Sequence, residues 1–198
     1  MDSGFYAACT GLLASTDALD LTASNLANLG TTGYKAQLEF YRSLEASLGN
    51  RRLSPLNQAV NDYGVLGGAA VDLRTGEFQK TGNDLDLAME GSGFFVVKTP
   101  AGIRYTRNGN FHTDADGHLL TATGDQVMGE EGPVELPGGA ITISSDGTIS
   151  QQGAVVATLK LVTFNPGTSL TAEGNSYYSA PTGSEQPVDD PRLSQGML

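Results

Sequence analysis

From Ser3 to Asn28 the chain contains no proline, and Phe5, Leu12, Leu19 and Leu26 recur at a constant spacing of seven residues. With Ala8, Cys9, Thr16 and Ala23 between them, these positions predict an amphipathic helix bearing a heptad stripe. Ser3 suits the start as a cap, and Asn28-Leu29-Gly30 supplies a stop. The helix then covers about 25 residues, roughly 38 Å at 1.5 Å per residue. Other positions are small and polar (Thr10, Ser15, Asp17, Ser24), so the stripe must find its partner outside the helix. On pattern alone that partner is either the chain's own β domain or a helix of another molecule in a coiled-coil seam.

Gly30-Thr31-Thr32-Gly33 breaks the helix. Tyr34 to Leu48, with Leu38, Tyr41, Leu44, Ala46 and Leu48, predicts a second helix, with an extended arm as the alternative. Gly49 to Gly68 lacks apolar periodicity and reads as a connector. From Ala69 onward the texture becomes short β-type runs separated by turn residues. Strands are predicted at Ala70–Leu73, Glu77–Lys80, Leu85–Met89, Gly93–Thr99, Gly102–Arg107, Phe111–Thr113, Leu119–Thr121, Ile141–Ser144, Ile149–Gln151 and Ala157–Phe164. Asn108-Gly109, Asp116-Gly117 and Asp146-Gly147 predict three hairpin turns, because Asn, Asp and Gly accept positive φ at low cost. After Asn165 the composition predicts a loosely ordered tail with one short strand at Tyr177-Tyr178.

The expected fold class is mainly β with an N-terminal α-helix, the globular part being a β-sandwich or barrel-like domain. The expected organisation is 1–35, helix and exit turn; 36–68, connector arm; 69–165, all-β domain; 166–198, return segment.

A length of 198 residues suffices for one domain with an appendage, and 26 glycines and 8 prolines agree with a turn-rich β protein. A formal net charge of −11 disfavours nucleic acid as a partner. Cys9 has no second cysteine to pair with, and His112 and His118 are the two histidines, so zinc spacing is absent and no metal or cofactor is expected. The N-terminus begins with an acidic residue and lacks a cationic region, so no cleaved signal peptide is expected. No apolar run is long enough to span a bilayer as a helix.

Candidate chemistry is thin. Asp114-Ala115-Asp116-Gly117-His118 superficially resembles a calcium loop, yet Leu119 and Asp125 occupy the places where an EF-hand needs Gly and a bidentate Glu. A hairpin turn explains the segment, and His112 and His118 read as its wet flank. Gly91-Ser92-Gly93 precedes a strand instead of opening a helix, so it is no phosphate loop. Asp84, Asp86 and Glu90 alternate with Leu85, Leu87 and Met89, the pattern of a strand's solvent face, and not of a glycosidase pair. No catalytic residue, cofactor or small-molecule substrate is expected, and the combination suggests an assembly protein. The rival readings are a β-sandwich adhesion module and a carbohydrate-active enzyme.

Thr22-Ala23-Ser24-Asn25-Leu26-Ala27-Asn28 followed by Thr31-Thr32-Gly33-Tyr34-Lys35 closely resembles the N-terminal signature of the flagellar basal-body rod and hook protein family. Gly76-Glu77-Phe78, Thr81-Gly82-Asn83-Asp84-Leu85-Asp86-Leu87-Ala88, Gly91-Ser92-Gly93-Phe94-Phe95 and Tyr105-Thr106-Arg107-Asn108-Gly109-Asn110-Phe111 resemble that family's body, in family order. Within it, the Met1-Asp2 start, Val127–Pro133 and Ile141–Ser150 look more like proximal-rod than distal-rod members. The resemblance implies a structural subunit of the periplasm-crossing rod that polymerises through its N-terminal helix. It also implies export by the flagellar type III apparatus and, as partners, itself and other rod subunits. The interface residues it implies are Phe5, Leu12, Leu19, Ala23, Asn25, Leu26, Asn28, Gly33 and Tyr34. Family members continue into a C-terminal helix that pairs with the N-terminal one, and this chain is expected to stop short of it, at Gln195-Gly196-Met197-Leu198.

Overall fold

A computed structural model of the chain describes residues 2–42, 65–72, 74, 76–165 and 167–198. The chain divides into two units, Met1–Gly30 with Ala36–Asp72, and Thr31–Lys35 with Leu73–Leu198. In the first, α1 (Asp2–Ala27) is the heptad-bearing helix, within a residue of its expected bounds at each end. No helix among the described residues is long and apolar enough to cross a membrane.

The second helix expected after Gly33 is replaced, over its described part, by a strand. β1 (Gln37–Arg42) runs antiparallel to β2 (Val65–Val71), with a register shift between Phe40 and Tyr41. The run Leu38-Glu39-Phe40-Tyr41 is rich in aromatic residues and fits a pleated ladder better than a helix. Residues 43–48 of that expected helix, and the connector as far as residue 64, lie outside the described residues.

The second unit is the β domain. Its central strand is β4 (Phe94–Thr99), flanked by β3 (Leu87–Glu90), β5 (Gly102–Thr106), β6 (Phe111–Thr113), β7 (Leu119–Thr121) and β8 (Gln126–Val127) in chain order. Then come β9 (Ile141–Ile143), β10 (Thr148–Gln151), β11 (Ala154–Thr158) and β12 (Leu161–Phe164). The last four strands are β13 (Thr171–Ala172), β14 (Tyr177–Ser179), β15 (Glu185–Pro187) and β16 (Arg192–Gln195). The large sheet has the order β13-β14-β5-β4-β8-β7-β6, with β12 joining β4 and carrying β15. β11-β10-β9 form a second sheet and β16-β3 a third, and no barrel closes.

Alternation along β4 divides the interior. Phe95 and Val97 enter the main core with Ile141, Ile143 and Ile149 of the second sheet, which makes the packing sandwich-like. The opposite face carries Phe94, edge-on to Phe164 and Tyr178. Both faces of this strand are buried, so it reads as the continuous apolar run Phe-Phe-Val-Val.

Four expectations give way to tertiary constraints. Ala157–Phe164 is two strands, because the chain passes from the second sheet to the large one at Leu159-Lys160, where Lys160 N–H donates to the Met128 carbonyl at 3.0 Å. Asn108-Gly109 is no hairpin: β5 pairs with β4 and β14, and β6 with β7. Leu87 N–H instead donates to the Gly109 carbonyl at 3.0 Å, and a β-carbon on Gly109 would collide with the Leu87 carbonyl. Glu77–Lys80 is not a strand; Gln79 exchanges backbone hydrogen bonds with Leu198 at 2.7 and 2.9 Å. The tail expected to be loosely ordered holds four short strands, each tied to a distant partner or to its neighbour.

Candidate assembly surface

α1 has two faces of different texture. Among the described residues, Gly11, Ala14, Ala18, Leu21, Asn25 and Asn28, spaced three or four residues apart, are the partly or fully buried positions of the helix and its end. Its tertiary neighbours within the unit are β1 and β2. Small side chains suit that role, since they let a strand pair approach the helix backbone closely. The Phe5, Leu12, Leu19 and Leu26 stripe is turned about 130° away at 3.6 residues per turn. It is open to solvent, with exposures of 74%, 69%, 69% and 68%. Ala23 is exposed beside it, and Leu13 is exposed about 100° further round the helix from Leu12.

Hydroxyls beside the stripe are turned back on the helix. Ser15 donates to the Gly11 carbonyl, Thr16 to Leu12 and Thr22 to Ala18, each at 2.9 Å. Such i to i−4 bonds leave methyl and methylene groups facing outward. The outcome is a long apolar surface with few outward donors, a form suited to another apolar helix.

Asn25 and Asn28 lie off the stripe. Asn25 Nδ2 donates to the Gln37 carbonyl at 2.9 Å, and Gln37 N–H donates to Asn25 Oδ1 at 3.0 Å. The carboxamide thus reproduces both hydrogen bonds of a strand pair. Asn28 Nδ2 donates to the Ser24 carbonyl at 2.8 Å, closing the helix end.

Gly33 and Tyr34 belong to the other unit, as part of the Thr31–Lys35 turn. Gly33 has φ of 67°, and Tyr34 N–H donates to the Thr31 carbonyl at 3.2 Å. Lys35 Nζ donates to the Arg74 carbonyl at 2.6 Å, and its backbone is hydrogen-bonded to Tyr178. Burial pushes the Tyr178 phenol up, an effect which that bond opposes.

Below the turn lies Arg107, 7% exposed, with its guanidinium 4.8 Å from the Phe94 ring centre and Nη2 donating to the Gly91 carbonyl at 2.6 Å. Its Nε has no hydrogen-bond partner. Burial pushes its pKa down to about 10, against the opposing effect of Tyr178, so it is still cationic at neutral pH.

The residues weighed for chemistry are engaged otherwise. Asp86, expected on a wet strand face, is buried at 4% exposure. Its Oδ1 accepts from Asn83 Nδ2 and Asn110 Nδ2, both at 3.1 Å, so the two Asn-containing motifs meet on one carboxylate. Asp114, Asp116 and His118 can bring ligand atoms within 4.8 Å of one another. Within that cluster Asp114 Oδ1 accepts the N–H groups of Asp116 and His118 at 3.0 and 2.8 Å, and Oδ2 meets His118 Nδ1 at 3.0 Å. The carboxylate is spent on holding the β6–β7 turn.

The small-residue face was present in the sequence as a spacing of three and four, but it lacks the bulk that makes a hydrophobic stripe visible. The bond from Asn25 to Gln37 had no local signal.

The family described as "Flagella basal body rod protein" matches residues 5–35, which contain the exposed stripe. "Flagellar hook protein FlgE/F/G D1 domain" matches residues 88–157 of the β domain. The flagellar basal-body rod protein FlgF of Caulobacter vibrioides is 34% identical over 204 residues, spanning 100% of this chain and 81% of that protein. FlgF of Salmonella typhimurium is 34% identical, over 92% of this chain and 70% of that protein. The flagellar basal-body rod protein FlgG of Bacillus subtilis is 29% identical, over 87% and 71%.

Proposed function

The chain belongs to the flagellar basal-body rod protein family, and from that premise we propose that it is a structural subunit of the rod which polymerises through α1. The observation that carries this reading is the stripe of Phe5, Leu12, Leu19 and Leu26, open to solvent on a helix whose small face is already half-buried. Burying each of these side chains in a seam with neighbouring subunits would contribute about 1.5–3 kcal/mol. Head-to-tail repetition of such a contact propagates helically, as a rod requires.

The same reading assigns the protein no catalytic step. Its location is the flagellar basal body, reached through the flagellar export apparatus, and its partners are copies of itself and other rod subunits. The stronger identity to the FlgF relatives favours the proximal part of the rod. Residues 1–35 supply the assembly helix and its exit turn.

Leu19→Asp is the test, because a charge in a packed apolar seam goes uncompensated. Loss of polymerisation, followed by sedimentation and electron microscopy, with the thermal unfolding of the β domain unchanged, is the expected result. A variant that polymerises like the parent chain sinks the proposal.

A further inference from the structure

α1 faces two claims at once: β1 and β2 of its own unit, and the neighbouring subunit proposed above. An apolar helix offered two alternative apolar coverings is not bound to choose one of them. Something must fix the strand pair on the small-residue face, and the apolar contacts there are slight, since Ala14 is the sole fully buried hydrophobic residue among the described positions of the helix. Among the described residues, a directional contact joins Asn25 to Gln37, where one carboxamide donates and accepts against a single residue's backbone at 2.9 and 3.0 Å. Gln37 is the first residue of β1 and pairs with Val71, the last of β2. The clip therefore holds the open end of the two-stranded ladder, where fraying would begin.

We propose that Asn25 is a positioning residue for assembly: by clipping Gln37 it keeps the β1–β2 pair on the small face of α1 and leaves the Phe5, Leu12, Leu19 and Leu26 stripe clear for the next subunit. This rests on the seam proposed above. It gives Asn25 a role distinct from direct contact with a partner. The requirement is a group that both donates and accepts in one plane, which Asn meets and an ionised Asp does not.

The chemistry sets the experiment. Asn25→Asp has nearly the same shape; ionised, it cannot donate to the Gln37 carbonyl, whereas its protonated form donates through O–H and accepts through C=O. Near the helix C-terminus, and facing that carbonyl, the introduced carboxyl titrates above the usual value of about 3.9. The other titratable residues in the sequence of the packed elements are Asp2, Tyr6, Cys9, Asp17 and Asp20 on α1, and Glu39, Tyr41 and Arg42 on β1, while β2 has none. All of these are shared with the parent chain, which serves as control.

Amide exchange at Asp72, whose N–H donates to the Ala36 carbonyl at 2.8 Å at the same open end, and polymerisation are measured on the parent chain, Asn25→Asp, Asn25→Ala and Leu19→Asp, with β-domain protection as the folding control. Both Asn25 variants are expected to release this end of the ladder and speed Asp72 exchange about tenfold at pH 7.5, as loss of one hydrogen bond does, and to cut polymer yield in parallel. Lowering the pH toward about 5 should restore Asp72 protection in Asn25→Asp but not in Asn25→Ala. Polymerisation retained despite lost protection, or lost with protection intact, overturns the positioning role. So does parental behaviour in both assays. Failure of the seam itself shows separately, as polymerisation by Leu19→Asp.

Discussion

A β-carbon placed on Gly33 would collide with the backbone nitrogen of Asn108. The Thr31–Lys35 turn therefore rests on the Arg107-Asn108 backbone, with no room for any other residue. The residue that looks like a simple helix breaker is a contact point of the β domain.

Gly33→Ala meets two penalties, the collision and a φ of 67° that L side chains rarely adopt. The substitution is expected to lower β-domain stability by about 1–3 kcal/mol, read from the midpoint of urea unfolding. A parental midpoint would show that the turn is not docked.

Asp86 holds two Asn side chains on one buried oxygen. Asp86→Ala leaves both amide groups short of an acceptor and is expected to destabilise the domain by about 2–4 kcal/mol. Asp86→Asn keeps a carbonyl oxygen for them and should cost less than half as much. Equal losses in the two variants would refute the acceptor role.

The Asp114–His118 pair makes stability depend on pH. The hydrogen bond that its ring donates to Asp114 raises the His118 pKa above 6.5, against partial desolvation and with help from the Asp114, Glu135 and Asp116 charges. Desolvation works to raise Asp114, but hydrogen bonds from the His118 backbone and ring and from Asp116 hold it below 3.8. A raised histidine stabilises fully below 6.5, and that contribution is lost as pH rises through its folded value. A depressed aspartate stabilises above 3.8, and that contribution is lost as pH falls through its folded value. His118→Gln should therefore narrow the stability difference between pH 6 and pH 8, by unfolding midpoints at each. An NMR titration placing His118 at or below 6.5 would contradict the pairing.

Tyr177 OH lies 2.7 Å from Thr121 Oγ1, 2.6 Å from Thr123 Oγ1 and 2.8 Å from Asp125 Oδ2. Tyr177→Phe should cost about 1–3 kcal/mol, measured by thermal unfolding. A loss below 0.5 kcal/mol, the scale of an ordinary surface change, would mean that water replaces the hydroxyl without penalty.

Periodicity alone determined the extent of α1, its large-residue stripe and most strand centres, because both signals depend on neighbours a few residues apart. It also determined the turns at Asp116-Gly117 and Asp146-Gly147, where local φ preference and the fold agree. Asn108-Gly109 carries the same turn chemistry yet serves a close approach to Leu87, which no local rule reveals. Asp86 looked wet by alternation and is buried because Asn83 and Asn110 reach it from separate segments. Likewise, the strands after Asn165 have little apolar periodicity, since backbone hydrogen bonds to distant strands hold them. The sequence settled that α1 has a face to bury; only tertiary packing chose the small face for the chain itself, because close approach favours small side chains and Asn25 finds its partner twelve residues away.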